Sequence, residues 1–200
     1  MAPPDLSAAA AAIEAFLRAV GAPVDEDPEL AGTGQRVAEA YVDDLLAGYR
    51  MDPAEILAES TASTAPGWVL LRSVATSTTC PHHLMPASGV AHLGYRPRER
   101  VVGLGALARL VDAFAHRLVL QEDLGQCIAD ALVAHLDAYG AGVVLDLAPT
   151  CMTARGERRH GARAVTTAFA GSAAVDPSER AEFLSALAVT TPHHDRTSKP

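Results

Sequence analysis

The sequence predicts an α+β domain in which a helix pair packs on one face of a four-stranded antiparallel sheet. Three observations support this prediction. First, the hydrophobic period changes from that of helices to that of strands near residue 67. Second, two strand-like segments follow this change. Third, two amphipathic helices separate these segments from two further strand-like segments. The order strand-strand-helix-helix-strand-strand is typical of α+β proteins.

The N-terminal part is predicted to be helical. Ser7 is a plausible N-cap for a helix over residues 8–20, and Gly21 and Pro23 end it. A second helix is expected from 33 or 34 to 46. A third, over 52–57, has Asp at the N-cap position and Pro in the first turn.

The polar segment 61–67 is the predicted boundary between two regions. It separates an N-terminal helical region, residues 1–62, from the main domain, residues 63–190, and residues 191–200 are expected to be a disordered tail. Residues 97–100 are expected to form a charged turn. The predicted elements of the main domain are strands at 68–78, 89–95, 142–147 and 164–170, and helices at 104–118, 121–136 and 179–187.

Composition excludes several classes of protein. The 200 residues carry a formal net charge of −8, which argues against a general nucleic-acid binder. Three cysteines do not make a disulfide framework. The N-terminus lacks the basic start of a signal peptide, and no stretch is long enough to span a membrane. A cytoplasmic protein is therefore expected.

A Cys-Pro-His-His sequence at 80–83 is the strongest chemical signal. Cys80 and His83 lie three residues apart at the predicted end of a strand, and Cys151 follows another predicted strand. Two thiolates and one imidazole suit a tetrahedral Zn²⁺ whose fourth position is open. The spacing also fits two buried cysteines and a surface histidine with no metal, so both interpretations stay open at this point.

The sequence resembles the GTP cyclohydrolase I family. The resemblance covers roughly residues 30 to 187, with Thr33 and Arg36 in its N-terminal part. The segments that carry it are CPHHLMP at 80–86, GVAHLGY at 89–95, VVGL at 101–104, LAR at 107–109, QE at 121–122, CMTARG at 151–156 and RAEFL at 180–184.

This resemblance implies a fold, a cofactor and a reaction. The fold is the tunnelling fold, in which sheets from several subunits close into a barrel with active sites between subunits, and bacterial members are typically decamers. The cofactor is zinc held by Cys80, His83 and Cys151. The reaction is attack of a metal-bound water on C8 of a guanine nucleotide, which opens the imidazole ring and leads on to dihydroneopterin triphosphate.

The resemblance also implies roles for other side chains. His82 matches an acid/base histidine, and the imidazole pKa suits proton transfer at neutral pH. Glu122, and more weakly Gln121, match the groups that bind the guanine edge; an ordinary helix N-terminal carboxylate is the alternative for Glu122. The arginines that match phosphate-binding groups are Arg109, Arg155 and, less closely, Arg36.

Four positions depart from the family pattern. Pro81 replaces the usual glutamate, Pro149 replaces a histidine, and Gly105-Ala106 replaces a serine-lysine pair. Three hypotheses follow. The first is an altered enzyme that acts on GTP or a less phosphorylated guanine compound and stops after ring opening or deformylation. The second is a complete GTP cyclohydrolase I, and the third is a catalytically silent zinc-binding paralogue that serves as a structural or regulatory partner.

Overall fold

The computed structural model describes residues 3–64 and 67–188, and the tail predicted at 191–200 lies outside them. The first part of the chain is helical, as expected, and ends in a short strand. Its elements are α1 (Leu6–Ala19), a 3₁₀ turn (Pro28–Leu30), α2 (Thr33–Glu39) continued by a π-helical segment (Ala40–Leu45), a second 3₁₀ turn (Ala47–Arg50), α3 (Pro53–Ala58) and β1 (Ser60–Ala62).

The remaining elements follow the predicted order, with additional short ones. They are β2 (Val69–Thr79), β3 (Pro86–Arg96), β4 (Arg100–Val102), α4 (Leu104–Ala115), α5 (Gln121–Leu136), β5 (Gly140–Pro149), α6 (Thr150–Thr153), β6 (Ala164–Gly171), α7 (Ser172–Val175) and α8 (Pro177–Ala188). No helix of the described chain is both long and apolar enough to cross a membrane.

The main sheet is antiparallel with strand order β2-β3-β5-β6, which confirms the α+β class. Helices α4 and α5 cover one face. Because side chains alternate along a strand, the residues on that face form a shared core with the helices. Its fully buried members include Leu93, Leu107, Leu110, Leu124, Ile128, Leu132 and Leu145.

Several predicted boundaries were wrong. Asp5, not Ser7, caps α1, because its carboxylate accepts from the Ala8 N–H at 2.9 Å. Helix α4 ends at Ala115 rather than 118, and the chain then extends so that the Val119 N–H donates to the Thr79 carbonyl. Residues 61–62 and 100, assigned to a joint and a turn, instead belong to the two-stranded β1–β4 sheet.

Helix α8 covers part of the opposite sheet face. Phe183 is fully buried there, 5.2 Å from the Trp68 ring and 5.8 Å from the Phe169 ring, centroid to centroid. A Cβ added to Gly142 of β5 would meet three atoms of the Phe183 ring at 2.9 to 3.0 Å. Gly142 therefore leaves the space that this ring occupies.

Gly142→Ala is expected to destabilise the fold by about 1–3 kcal/mol, because the added methyl group overpacks a closed contact. Denaturant unfolding measures the change. Adding Phe183→Leu to the Gly142→Ala variant should partly restore its stability. Gly105→Ala is the control, since its methyl would meet only the Arg109 guanidinium, at 3.7 Å. Equal losses from the two glycine substitutions would contradict this packing account.

Candidate active site

The Cys80 turn joins β2 to β3 and is closed by two backbone hydrogen bonds. The Cys80 N–H donates to the Met85 carbonyl at 3.0 Å, and the Leu84 N–H donates to the Cys80 carbonyl at 2.9 Å. Leu84 has a left-handed φ of 53°. A residue with a side chain rarely adopts this conformation, so the surrounding contacts hold the turn in a defined shape.

Cys80 and His83 approach each other within this turn. The Cys80 Sγ atom lies 4.0 Å from His83 Nδ1. The His82 ring stands edge-on to the His83 ring with centroids 6.2 Å apart. Cys80 is half-buried and both histidines are exposed, so the imidazoles are accessible from solvent.

Sheet register places Cys151 at the same edge of the sheet. Thr79, next to Cys80, pairs with Pro86 of β3, and the adjacent Ala87 pairs with Pro149 of β5. Cys151 follows in α6, whose Thr150 hydroxyl donates to the Pro86 carbonyl. The two cysteines are thus two strands apart, and neighbouring strands are about 4.8 Å apart.

The donor set fits zinc, although the full ligand set is not assembled. Zn–S and Zn–N bonds of roughly 2.3 and 2.0 Å at a tetrahedral angle separate sulfur from nitrogen by about 3.5 Å, half an ångström less than the 4.0 Å between Cys80 Sγ and His83 Nδ1. Within residues 3–64 and 67–188, however, no three His, Cys, Asp or Glu side chains form a metal-binding group. The structure pairs Cys80 with His83 and leaves Cys151 nearby as the third candidate.

The start of α5 lies beside the same ends of β5 and β6. The Gln121 amide nitrogen donates to the Ala164 carbonyl at 2.8 Å, and to Leu145 and Thr166 oxygens at 3.3 Å. Glu122 follows in the first turn and is exposed. Gln121 therefore fixes the helix start to the sheet, and the exposed Glu122 carboxylate has no hydrogen bond or ion pair with any described residue.

The three predicted phosphate-binding arginines differ in their contacts. The guanidinium groups of Arg109 and Arg155 are exposed and have no hydrogen bond or ion pair with any described residue. Arg36 instead donates to the Ala31 carbonyl at 2.8 Å and to Thr33 Oγ1 at 2.9 Å, and so holds the start of its own helix. The geometry therefore leaves Arg109 and Arg155 available to an anion, whereas the Arg36 guanidinium is engaged by hydrogen bonds within its own segment.

Two of the positions that depart from the family pattern, Ala106 and Pro149, have structural roles. Ala106 is 5% exposed and belongs to the apolar core, so position 106 contributes to packing. Pro149 ends β5 and occupies the N-cap position of α6. Proline has no N–H to donate and no group that transfers a proton. Pro81 is exposed in the Cys80 turn.

Two further titratable groups lie outside this site. His92 Nδ1 accepts from the Ser73 N–H at 3.4 Å, and burial, followed by the Arg72 charge, lowers the pKa of His92. Cys127 is exposed as a residue, but partial burial of its thiol, followed by the Asp123 and Asp130 charges, raises the thiol pKa. A raised pKa makes Cys127 a poor nucleophile and metal ligand.

Sequence reasoning missed a side chain that contacts the Cys80 turn. Tyr41 lies in the π-helical segment, and its hydroxyl donates to the Leu84 carbonyl at 2.7 Å. π-helical segments are frequent at functional sites. Tyr41 falls in the helix predicted from 33 or 34 to 46, and nothing local in the sequence indicates a partner 43 residues away.

If the Cys80 and His83 pair binds zinc, Tyr41→Phe is expected to weaken that binding roughly tenfold, the low end of the effect of losing a group that orients metal ligands, because the turn that carries both residues loses an anchor. Competition with a chromophoric chelator measures zinc affinity, and thermal unfolding measures stability. Tyr49→Phe is the control, since the Tyr49 hydroxyl accepts from the Leu118 N–H, outside the turn. The same zinc affinity in both variants would mean that Tyr41 has only a structural role.

Comparisons with known proteins point to one family. The family model for GTP cyclohydrolase I matches residues 9–188. Proteins named GTP cyclohydrolase 1 are similar to the chain: one from Synechococcus sp. (strain JA-2-3B'a(2-13)) is 40% identical over 88% of this chain and 77% of its own. One from Dehalococcoides mccartyi (strain ATCC BAA-2266 / KCTC 15142 / 195) is 39% identical over 88% and 93%.

Another relative of the same name, from Ralstonia nicotianae, is 38% identical over 88% of this chain and 84% of its own. Among solved structures, the archaeosine synthase QueF-Like in the apo form matches 54% of this chain and 97% of its own. Its TM-score of 0.45 and identity of 19% are too low to bear on fold or function.

Proposed function

Since the chain belongs to the GTP cyclohydrolase I family, a family of hydrolases, we propose that it is a zinc-dependent enzyme that opens the imidazole ring of a guanine nucleotide at C8. The observation that carries this proposal is the sheet edge where Cys80, His83 and Cys151 lie. Three soft or borderline donors there match the open zinc site of a hydrolase.

Cys80, His83 and Cys151 would hold the zinc ion. When bound, zinc supplies a Lewis acid and a water of lowered pKa. The protein supplies the rest of the chemistry. His82 is the proton donor and acceptor, because its ring is exposed beside His83 in the same turn and imidazole exchanges protons near neutral pH.

Glu122 binds the guanine edge. A carboxylate accepts two N–H donors at once, which matches the two adjacent N–H groups of guanine and gives strong charge-assisted hydrogen bonds. Gln121 supports this contact by tying the start of α5 to β6 through the 2.8 Å bond to Ala164. Gln121 is also proposed to contact the guanine edge directly, beside Glu122.

Arg155 and Arg109 bind the phosphate groups. Guanidinium groups suit phosphate because their N–H donors form a planar fork, and both side chains lack a partner among the described residues. Arg109 belongs to α4, a different element from the Cys80 turn. By family resemblance we propose a homo-oligomer, a decamer, with active sites between subunits, in which Arg109 contributes to the phosphate-binding part of a site. Arg36 is proposed to contribute less directly.

The reaction is proposed to stop after ring opening. The later steps need further proton transfers, and Pro149 and Pro81 have no group that can perform them. A complete conversion to dihydroneopterin triphosphate is the second possibility, in which another group or water performs the proton transfers that the two prolines cannot.

We also propose a reducing, cytoplasmic setting, which the three free cysteines support.

Mass spectrometry of the zinc-loaded protein incubated with GTP, GMP and guanosine tests this function. The expected result is a zinc-dependent gain of one water on one of these compounds. Formation of a fluorescent pterin after oxidation would show that the reaction runs to completion. No change in any of the three compounds, in protein that contains zinc, would favour the silent paralogue.

A further inference from the structure

The described arginines divide by whether the guanidinium group has a partner in the chain. Eleven donate to a carboxylate or a backbone oxygen, as Arg159 does to Glu157 at 3.4 Å and Arg163 to Asp146 at 2.6 Å. Three have guanidinium groups with no hydrogen bond or ion pair to residues 3–64 and 67–188: Arg109, Arg155 and Arg158. The first two are the proposed phosphate-binding residues, and Arg158 shares their lack of a partner among the described residues.

Arg158 lies in a loop that folds back onto the helix bearing Cys151. Its backbone N–H donates to the Arg155 carbonyl at 3.2 Å, and the backbone N–H of Arg159 donates to the Met152 carbonyl at 3.2 Å. Arg155 and Arg158 are therefore on one turn, and this turn is bonded to the residue next to Cys151. Both side chains are exposed.

The backbone of Arg158 is in a conformation that costs energy for a side-chain-bearing residue. Its φ is 48°, in the left-handed region where only a few per cent of non-glycine residues occur. Such conformations concentrate at ligand-binding sites. A glycine or asparagine would fit this turn with less strain. Backbone conformation therefore does not account for an arginine at position 158, and a function of its side chain does.

The local charge is opposite to that of the whole chain. Residues 155–163 contain four arginines and one glutamate, in a chain with a net charge of −8. An anion is therefore repelled by most of the surface and attracted to this loop. Two unpaired guanidinium groups on one turn match adjacent phosphate groups better than a single phosphate.

We infer that Arg158 is a further phosphate-binding residue of the proposed site and acts together with Arg155. This inference rests on the proposed function and adds one residue to it. The Arg158 guanidinium supplies a positive charge that the core position Ala106 does not.

Arg158→Asn tests the inference, because asparagine is uncharged and tolerates a left-handed φ. In the zinc-loaded enzyme the KM for GTP is expected to rise about tenfold, as for loss of a charge-assisted hydrogen bond, with the KM for guanosine unchanged. Arg158→Lys should recover part of the loss. Arg159→Asn is the matched control: it lies in the same loop, but its guanidinium already pairs with Glu157.

Calorimetric binding of inorganic tripolyphosphate gives a second readout that needs no turnover. Its affinity should fall in Arg158→Asn and not in Arg159→Asn. Equal effects of the two substitutions, or equal changes in KM for GTP and guanosine, would overturn the inference. If the wild-type protein converts no guanine compound, the proposed function fails, and tripolyphosphate binding still decides the role of Arg158.

Discussion

Cys151→Ser is expected to abolish ring opening of the guanine nucleotide while leaving the fold intact. A serine hydroxyl stays protonated at neutral pH and is a poor zinc ligand, whereas a thiolate is a strong one. Loss of an outer-shell partner already costs roughly 10- to 100-fold in metal affinity or activity, and loss of a ligand should cost more. Cys151 is half-buried in the four-residue helix α6, so the substitution leaves the core unchanged.

Zinc content after dialysis, turnover and circular dichroism measure these effects together. Cys127→Ser is the matched control, because Cys127 is exposed on α5 and its thiol pKa is raised. The control should keep its zinc and its activity. If Cys151→Ser retained both zinc and turnover, the proposed ligand set would be wrong.

Glu122→Gln is expected to lower kcat/KM for the guanine substrate roughly 10- to 100-fold, the cost of losing a hydrogen-bonded charge. Glutamine keeps the size of the side chain, but its amide presents one acceptor and one donor, and the donor faces an N–H group of the base. The fold should be little affected, since a carboxylate in the first turn of a helix contributes about 0.3–1 kcal/mol.

Steady-state kinetics and thermal unfolding separate the two contributions. Asp123→Asn is the control, because Asp123 is the neighbouring exposed carboxylate in the first turn of α5. It changes the helix electrostatics equally without removing the proposed base contact. Equal kinetic losses from the two substitutions would assign Glu122 to the ordinary helix N-terminal role.

Much of the fold could be predicted because the buried elements follow regular periods. Strands such as Pro86–Arg96 and helices such as Gln121–Leu136 bury one face each, and the sequence pattern reports that burial directly. The β1–β4 sheet could not be predicted in this way, since each strand has three residues and Ser60 pairs with Val102, distant in sequence. Such pairings depend on tertiary packing.

The candidate site also combines local features that the sequence predicts with non-local contacts that it does not. The spacing of Cys80 and His83 is local, and the structure keeps their donor atoms within 4.0 Å of each other. The bond from Tyr41 to Leu84 is not local, and no sequence pattern indicates it. The unpaired state of Arg158 could not be predicted either, because it depends on which carboxylates the fold places near each arginine.

X-ray absorption spectroscopy at the zinc edge tests the central claim of an open zinc site most directly. For the zinc-loaded wild-type protein we expect two sulfur ligands at about 2.3 Å, one imidazole nitrogen at about 2.0 Å and one oxygen from water. Cys151→Ser should reduce the sulfur count to one. A single sulfur in the wild type, or four protein ligands with no water, would contradict the account.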